Sequence, residues 1–275
     1  MNPKEMQEQD ERLKMKMAGI KNKILVMSGK GGVGKTTVAV NLAYGLVSKG
    51  FTVGLIDVDI HGPNVAKMLG IEQEQILGSG GEIEPVSVFP NFKVISLALL
   101  GHDKDQPFIW RGPMKMGVIK QFLADTNWGA LDYMIIDAPP GTGDEPLSIC
   151  QLIENLNAVV IVTTPQDVAI LDARKSILFA RQLEVPFIGL VENMSGFVCP
   201  ECNKEVELFG SGNGERIATE FNIAFLGSIP FEPKIIRAGD TGKPFIHFNK
   251  ETKTAEHINV ILESLTTQLS EKQSV

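Results

Sequence analysis

One glycine-rich stretch of eight residues restricts the fold of this chain more than any other feature. The stretch consists of Gly29, Lys30, Gly31, Gly32, Val33, Gly34, Lys35 and Thr36. The apolar run at residues 24–27 predicts a strand before it, and the spacing of apolar residues at 37–47 predicts a helix after it. A strand, a glycine-rich loop and a helix in this order are the unit from which phosphate-binding α/β domains are built.

The residue types in this loop match the chemistry of phosphate binding. Glycines let backbone N–H groups turn toward phosphate oxygens, Lys35 adds a positive charge near the β- and γ-phosphates, and Thr36 offers a hydroxyl to Mg²⁺. We therefore predict that the whole loop, together with Thr37, binds a nucleoside triphosphate and Mg²⁺. The alternative, a chance glycine-rich turn, does not account for all eight positions between a strand and a helix.

The composition is that of an enzyme-sized globular domain. The 275 residues are 43% hydrophobic and 21% charged, which is enough apolar material to bury a large core under one sheet. The formal net charge of -7 disfavours non-specific binding to nucleic acids. No apolar run approaches the roughly 20 residues of a membrane helix, and the first residues contain no signal-peptide core. We therefore expect a cytoplasmic, reduced protein that has neither nucleic acid nor membrane as a partner.

The order of the predicted elements gives the fold class and the domain limits. Helical patterns alternate with apolar, β-branched runs at residues 53–58, 94–97, 133–136, 159–162, 187–191 and 225–229. This alternation predicts an α/β fold with a doubly wound, mainly parallel sheet, helices on both faces, and ligands at the carboxyl ends of the strands. We expect a flexible or helical extension at 1–22, a single domain at 23–269 and a tail at 270–275.

Three aspartates follow predicted strands and should therefore lie at the edge of the sheet that carries the phosphate loop. Asp137 follows four apolar or aromatic residues, and this position fits the carboxylate that holds Mg²⁺ with Thr36 in phosphate-loop enzymes. Asp59 is the candidate for orienting the attacking water, whereas Asp57 is expected to cap the turn that follows it. Capping is also an alternative role for Asp59 and Asp137.

The second lysine of the loop needs a separate explanation. Lys30 lies on the other side of the glycines from Lys35 and cannot have the same role in phosphate binding. With Lys30, the loop resembles that of the deviant phosphate-loop ATPases, which include the MinD, ParA and nitrogenase iron protein groups. The resemblance implies that Lys30 reaches the phosphates bound by the partner in a homodimer, where it stabilises charge in the transition state. The catalytic candidates are thus Lys30, Lys35 and Asp59.

Four further motifs narrow the resemblance to one branch of these ATPases. They occupy residues 57–64, 111–114, 137–144 and 192–202. Together they are similar to the Mrp/ApbC family of ATP-binding iron–sulfur cluster carriers, and the similarity runs from Lys23 to about Leu269. The resemblance implies ATP as the nucleotide. We expect slow hydrolysis, because a molecular switch must dwell in each state.

Two of the three cysteines, Cys199 and Cys202, form a C-x-x-C motif in a predicted loop at 197–209. A [4Fe–4S] cluster or a structural zinc ion normally takes four ligands, and one chain supplies too few thiolates. Two chains related by a twofold axis would supply four, so we predict a cluster that bridges a homodimer. Zinc is an alternative at the same cysteines, whereas a disulfide oxidoreductase motif would normally open a helix. Cys150 is expected to be a buried core thiol.

The nucleotide base needs a partner that can both donate and accept hydrogen bonds. Asn193 follows the predicted strand at 187–191, and the family resemblance implies that its amide reads the adenine edge. An ordinary turn asparagine is the alternative. Residues 230–232, after the last predicted strand, are expected to form a wall beside the base.

Three functions follow from these patterns. The leading hypothesis is an ATPase that carries an iron–sulfur cluster and transfers it to recipient apoproteins. The alternative is a MinD/ParA-like positioning ATPase in which the C-x-x-C holds structural zinc. Such an ATPase would need a basic DNA-binding face or an amphipathic membrane helix at the carboxyl end. The last predicted helix, at 257–269, has an apolar stripe at Ile258, Ile261 and Leu265 without lysine-rich flanks, so we expect it to pack on the domain. The third hypothesis is an electron donor of the nitrogenase iron protein kind. Such a protein takes its cluster ligands from two separate loops of each subunit, and the lone C-x-x-C of this chain departs from that arrangement.

Overall fold

The computed structural model describes residues 3–59, 62–79, 81–100, 112–198 and 204–273. Within these ranges, helices surround one eight-stranded sheet and two small hairpins. The strands are β1 (Ile20–Met27), β2 (Val53–Asp57), β3 (Leu77–Ser79), β4 (Glu82–Glu84), β5 (Val86–Phe89), β6 (Phe92–Ser96), β7 (Leu131–Asp137), β8 (Ala158–Thr163), β9 (Phe187–Asn193), β10 (Phe197–Val198), β11 (Glu205–Val206) and β12 (Ala224–Ile229). The helices are α1 (Pro3–Ala18), α2 (Lys35–Ser48), α3 (Val65–Leu69), α4 (Gly112–Ala124), α5 (Asp144–Leu152), α6 (Asp167–Gln182), α7 (Asn213–Glu220), α8 (Pro233–Asp240), α9 (Phe245–Phe248) and α10 (Lys253–Gln273).

The large sheet is parallel except at one edge. Its strand order is β12-β9-β8-β1-β7-β2-β6-β5, and each pairing is parallel apart from that of β5 with β6. β2 and β8 are buried along their whole length, as expected of strands that helices cover on both faces. The six predicted strands correspond to β2, β6, β7, β8, β9 and β12, and the predicted fold class is confirmed.

Two apolar clusters cover the two faces of the sheet. One cluster joins α2, α9 and α10 to the sheet through residues such as Leu42, Phe245 and Leu262. The other joins helices of the opposite face, including α4 and α6, through residues such as Phe122 and Ile177. The sheet is therefore the middle layer of three, and the edge formed by the strands' carboxyl ends is where a ligand can reach it.

The last helix packs on the domain, as its apolar stripe predicted. Ile258, Ile261 and Leu265 are at most 2% exposed, and α10 lies against β12, β9 and α2. The helix continues to Gln273, so the expected tail at 270–275 is helical over its described part. No helix in the described ranges is both long and apolar enough to cross a membrane.

The amino-terminal segment forms the helix α1, which packs against the sheet-bearing part of the chain. In α1, Leu13 is 5% and Met17 is 1% exposed, and both belong to the core cluster that contains α4. The buried amine of Lys23 donates to the carbonyl of Met17 (3.3 Å), in the last turn of α1, and to the carbonyl of Ile20 (3.2 Å), at the start of β1. β1 begins at Ile20, which is already buried in the sheet, so the expected limit at residue 22 lies within this strand.

Candidate functional site

The glycine-rich loop connects β1 to α2 and opens above the carboxyl end of the sheet. Gly32 and Gly34 have φ values of 80° and 84°, in the left-handed region that favours glycine. Gly34 is the N-cap of α2 and supplies no side-chain cap, so the first N–H groups of the helix are open to an anion. The observed loop therefore has the conformation that phosphate binding requires.

Lys35, at the start of α2, lies in a buried group of charges. Its amine is 2.7 Å from Oδ1 of Asp137 and 3.7 Å from Oδ2 of Asp59. Thr36 donates its hydroxyl to Oδ2 of Asp137 at 2.7 Å. Burial raises the pKa of Asp137, while the charge of Lys35 and the hydrogen bonds from Lys35 and Thr36 oppose that rise. The structure thus brings together four of the predicted site residues from three separate segments.

Thr36 and Asp137 have the chemistry of a magnesium site. A hydroxyl and a carboxylate are the hard oxygen ligands that Mg²⁺ prefers, and the two groups are already in hydrogen-bond contact beside the loop. These two residues would hold Mg²⁺, which supplies positive charge to the bound phosphates. No cluster of three or more histidine, cysteine, aspartate or glutamate side chains that could hold another metal ion occurs within the described ranges.

Asp57 has a structural role, as the sequence predicted. Its buried carboxylate accepts hydrogen bonds from the N–H groups of Asp59 (3.1 Å) and Val65 (3.2 Å) and from the hydroxyl of Ser96 (3.1 Å). Burial, followed by the charge of Asp137, raises the pKa of Asp57 to about 8. Asp57 therefore fixes the turn that carries Asp59 and the first residue of α3.

Asn193 ends β9 directly beneath the phosphate loop. Its side-chain N–H donates to the carbonyl of Val33 at 2.8 Å, and the residue is 6% exposed. A Cβ added to Gly34 would lie 2.2 Å from the Asn193 amide nitrogen, so this glycine is required by packing as well as by its φ value. No local sequence pattern indicates this contact, which joins residues 160 positions apart. The adenine-reading role of Asn193 remains a prediction.

A cleft of about 440 Å³ lies over the loop and has room for a ligand of nucleotide size. Asp59, Asn193 and residues 230–232 line it together with the loop, in agreement with the expected position of the base wall. α3 and α8 form a further wall that the sequence analysis missed. Its residues are Asn64, Lys67, Met68, Ile235, Ile236 and Gly239. No local pattern relates these two helices, because only the tertiary fold brings them together.

Lys30 differs from Lys35 in its electrostatic partners. It is half-buried, and no carboxylate within the described ranges forms an ion pair with it. The preceding Gly29 packs against α6 so closely that an added Cβ would lie 2.4 Å from the carbonyl oxygen of Asp172. On the same helix, Val168 and Leu171 are 66% and 61% exposed. The residue before Lys30 therefore packs against the helix that carries this exposed apolar pair.

The predicted cluster ligands Cys199 and Cys202 lie outside the described residues. The chain on either side of them forms a two-stranded hairpin, in which Phe197 pairs with Val206 through β10 and β11. The two cysteines therefore belong to the segment that connects these strands. Cys150 in α5 is partly buried rather than fully buried as expected, and burial raises the pKa of its thiol to about 11.

The fold and the group formed by Lys35, Thr36 and Asp137 beneath the loop define a P-loop nucleoside triphosphatase. Residues 19–266 match the ParA family model, which describes an NUBPL iron-transfer P-loop NTPase, and the chain belongs to this family. It is 48% identical over 266 residues to the iron-sulfur cluster carrier protein of Methanococcus maripaludis, covering 95% of this chain and 91% of the relative. For the carrier protein of Methanocaldococcus jannaschii the identity is 47% over 266 residues, with 97% and 91% covered.

Solved structures agree with this assignment. A nucleotide-binding protein from Archaeoglobus fulgidus in complex with ADP is similar with a TM-score of 0.75 and 37% identity, over 86% of this chain and 92% of that one. The cell division ATPase MinD of Pyrococcus furiosus is similar with a TM-score of 0.63 and 21% identity, over 90% and 99% of the two chains. The second similarity shows the shared fold alone. The family resemblance inferred from the motifs is confirmed.

Proposed function

We propose that the protein is an ATP-dependent carrier of [4Fe–4S] clusters, which a homodimer binds through Cys199 and Cys202 of each chain and transfers to recipient apoproteins. The observation that carries the proposal is the position of the cysteine-bearing hairpin. β10 begins four residues after Asn193, which lies against the phosphate loop, so the hairpin that flanks the cysteines in the chain follows the strand end that carries the nucleotide site. Relatives that align with almost the whole chain are named iron-sulfur cluster carrier proteins, which supports the same cargo.

The site residues have separate roles in the proposed hydrolysis of ATP. Lys35 binds the β- and γ-phosphates, and Thr36 and Asp137 hold Mg²⁺. Asp59, which lies in the cleft, orients a water molecule for attack on the γ-phosphorus. The bond from that phosphorus to the bridging oxygen breaks, and ADP and phosphate leave. Turnover is slow, because each nucleotide state has to persist while the cargo is held or transferred.

A second copy of the chain would complete both sites. Lys30 follows Gly29, which packs against α6, and α6 exposes Val168 and Leu171. A partner bound on this helix would bring its phosphates within reach of Lys30. The partner would also bring its own Cys199 and Cys202, so that four thiolates bind one cluster. Transfer then exchanges these thiolates for ligands of the recipient. The thiols must stay reduced for this chemistry, which fits a cytoplasmic location.

Anaerobic reconstitution with iron and sulfide tests the proposal. We expect wild type to form a brown dimer with about four irons per two chains, and Cys202→Ala to stay colourless. Iron and zinc content, visible absorbance and mass in solution are the measurements, followed by transfer of the cluster to an apoferredoxin. The Cys150→Ala variant is the matched control, since it removes a thiol that lies in α5. A colourless wild-type protein that retains only zinc would refute the carrier function.

A further inference from the structure

A groove of about 480 Å³ lies between α1 and α4 and shares no lining residue with the nucleotide cleft. Each helix leads into one of two neighbouring parallel strands, β1 and β7, and both helices belong to the same apolar cluster on one face of the sheet. The two helices therefore run side by side in the same direction. The residues that line the groove include Glu8, Gln9, Arg12, Gly117, Gln121 and Asp125.

The spacing of these residues makes the groove long and narrow. On α4, Gly117, Gln121 and Asp125 recur at every fourth position, so they lie on one face of the helix over about 12 Å. One end of the groove is closed by an ion pair, in which Nε of Arg12 donates to Oδ1 of Asp125 at 3.0 Å. A ligand of this groove would therefore be an extended one that lies along the two helices.

Gln9 is the lining residue that points most directly to a ligand. It is only 8% exposed, yet its amide forms no hydrogen bond within the part of the chain that the structure describes. A buried amide without a partner is unfavourable, because it has given up water and gained nothing in exchange. Since Gln9 lines the groove, a bound ligand would supply the donor and the acceptor that this amide lacks.

Gly117 is a second, independent observation at the same groove. It lies inside α4, where glycine is less favourable than alanine, and its φ is outside the left-handed region. A Cβ added to Gly117 would meet no atom within 4 Å, so packing among the described residues does not require glycine. The missing side chain instead leaves the groove open at its centre line, where a ligand needs room.

The charges and hydrogen-bonding groups of the groove define the chemistry of its ligand. The lining residues carry three carboxylates, those of Glu5, Glu8 and Asp125, against the single guanidinium of Arg12, which favours a cationic ligand. The amides of Gln9 and Gln121 can each donate and accept. A peptide backbone needs both kinds of partner, whereas a linear polyamine offers donors alone.

We propose that the groove between α1 and α4 is a docking site for an extended segment of a partner protein that carries arginine or lysine side chains. A chain in the extended conformation advances about 3.3 Å per residue, so about four residues occupy the 12 Å of the groove. The glutamine amides bind its backbone, and the carboxylates bind its basic side chains. The inference does not depend on the carrier function proposed above, because the groove is separate from the nucleotide cleft.

Fluorescence anisotropy with the labelled peptide Gly-Arg-Gly-Arg-Gly tests the site in the full-length protein. We expect Gly117→Leu, which fills the groove, to weaken binding by at least about tenfold. Gln9→Ala should weaken it about fivefold, because it removes the unpartnered amide. Gln7→Ala is the matched control: Gln7 is exposed on the same helix and does not line the groove, so its loss should change the affinity by less than about twofold.

A second matched pair tests the charge of the groove. We expect Glu8→Gln to weaken peptide binding about threefold, whereas Glu11→Gln changes the net charge equally but removes an exposed carboxylate that does not line the groove. Circular dichroism checks that each variant folds, and if Gly117→Leu does not fold, Gln9→Ala decides. Equal affinity in wild type and Gln9→Ala, or no binding of the peptide to wild type, would overturn the inference. Spermidine that displaces the peptide at an equal or lower concentration would also overturn it, since cations alone would then be recognised.

Discussion

At the scale of single residues, the site depends on Lys35. Its amine is 7% exposed and lies between two carboxylates, one of which, Asp137, is completely buried. A nucleotide would offer phosphate oxygens to the same amine, so phosphate binding competes with this ion pair. Mg²⁺ held by Thr36 and Asp137 would compensate the carboxylate when the lysine moves to the phosphates.

Replacement of this lysine should therefore remove nucleotide binding and spare the fold. For Lys35→Ala we expect the affinity for ATP to fall roughly 100-fold, equivalent to about 3 kcal/mol for one charged contact. The variant should remain folded, because burial raises the pKa of Asp137 and lets its carboxyl take up a proton. Isothermal calorimetry measures the affinity. Lys49→Ala, at the other end of α2, is the control and should bind as wild type does; equal losses in both variants would contradict the assignment.

Replacement of Asp59 should slow the hydrolysis of ATP and leave the binding of ATP almost unchanged. Asp59 lines the cleft and lies 3.7 Å from the Lys35 amine, and the proposed mechanism assigns it the orientation of the attacking water. We expect Asp59→Asn to reduce the rate of phosphate release roughly 100-fold while the affinity for ATP changes by less than about threefold. A phosphate-release assay and a binding titration check this pair of outcomes. A variant that hydrolyses ATP at the wild-type rate would exclude Asp59 from catalysis.

At the scale of elements, the far wall of the cleft depends on contact between two glycines. Gly70 ends α3 and Gly242 follows α8, with φ values of 69° and 67°. A Cβ added at Gly242 would lie 2.4 Å from Cα of Gly70, which is closer than atoms can approach. The backbones of α3 and α8 can touch only because both residues lack a side chain, and this contact sets the distance between the two helices.

We expect Gly242→Ala to destabilise the domain by about 3 kcal/mol, since it adds a steric clash to the strain of a left-handed residue. Gly50→Ala is the matched control: its φ is 91°, but an added Cβ would meet no atom within 4 Å, so only the strain of about 1 kcal/mol applies. Urea unfolding followed by circular dichroism measures both changes. Equal destabilisation of the two variants would mean that the close contact between α3 and α8 adds nothing to the cost of a side chain at Gly242.

At the scale of the whole molecule, Asp132 of β7 forms hydrogen bonds with residues at the start of β1 and directly before β2. From β7, its carboxylate accepts from the Lys21 amine of β1 at 2.7 Å and from both the N–H (2.9 Å) and the hydroxyl (2.7 Å) of Thr52, just before β2. The hydrogen bond from Lys21 and those from Thr52 lower the pKa of Asp132 to about 2. The group is 26% exposed, so solvent weakens these interactions.

This carboxylate makes part of the stability depend on pH. Its pKa is lower in the folded state than the usual value of 3.8, so its contribution is complete above about pH 4 and is lost as the pH falls toward 2. We expect Asp132→Asn to lower the free energy of unfolding by about 1 kcal/mol at pH 6 and by about half as much at pH 3. Urea unfolding of both proteins at the two pH values measures this difference.

Asp10→Asn is the control for this comparison. Asp10 pairs with Lys120 at 2.7 Å but is 54% exposed, so its loss should change the unfolding free energy by well under 1 kcal/mol. A constant difference between wild type and Asp132→Asn from pH 6 to pH 3 would show that the hydrogen bonds of Asp132 do not need its charge.

The sequence predicted those parts of the site that lie within one strand–loop–helix unit or directly at a strand end. The glycines, Lys35 and Thr36 follow one another in the chain, and Asp137 comes at the end of an apolar run that is recognisable as a buried strand. The packing of the amino-terminal helix has no comparable local signal. Leu13 and Met17 are isolated apolar residues in a charged helix, and their packing depends on α4, about a hundred residues later.

The sequence alone therefore determined the fold class, the phosphate loop and the family, because strand and helix periods and the conformational freedom of glycine are local properties. The tertiary structure decided which distant groups meet: Asn193 beneath Val33, the wall of α3 and α8, and the carboxylate of Glu192 with the N–H of Gly212. These contacts join residues far apart in the chain. These contacts depend on how the sheet positions the ends of its strands, and no pattern in the sequence around each residue predicts that geometry.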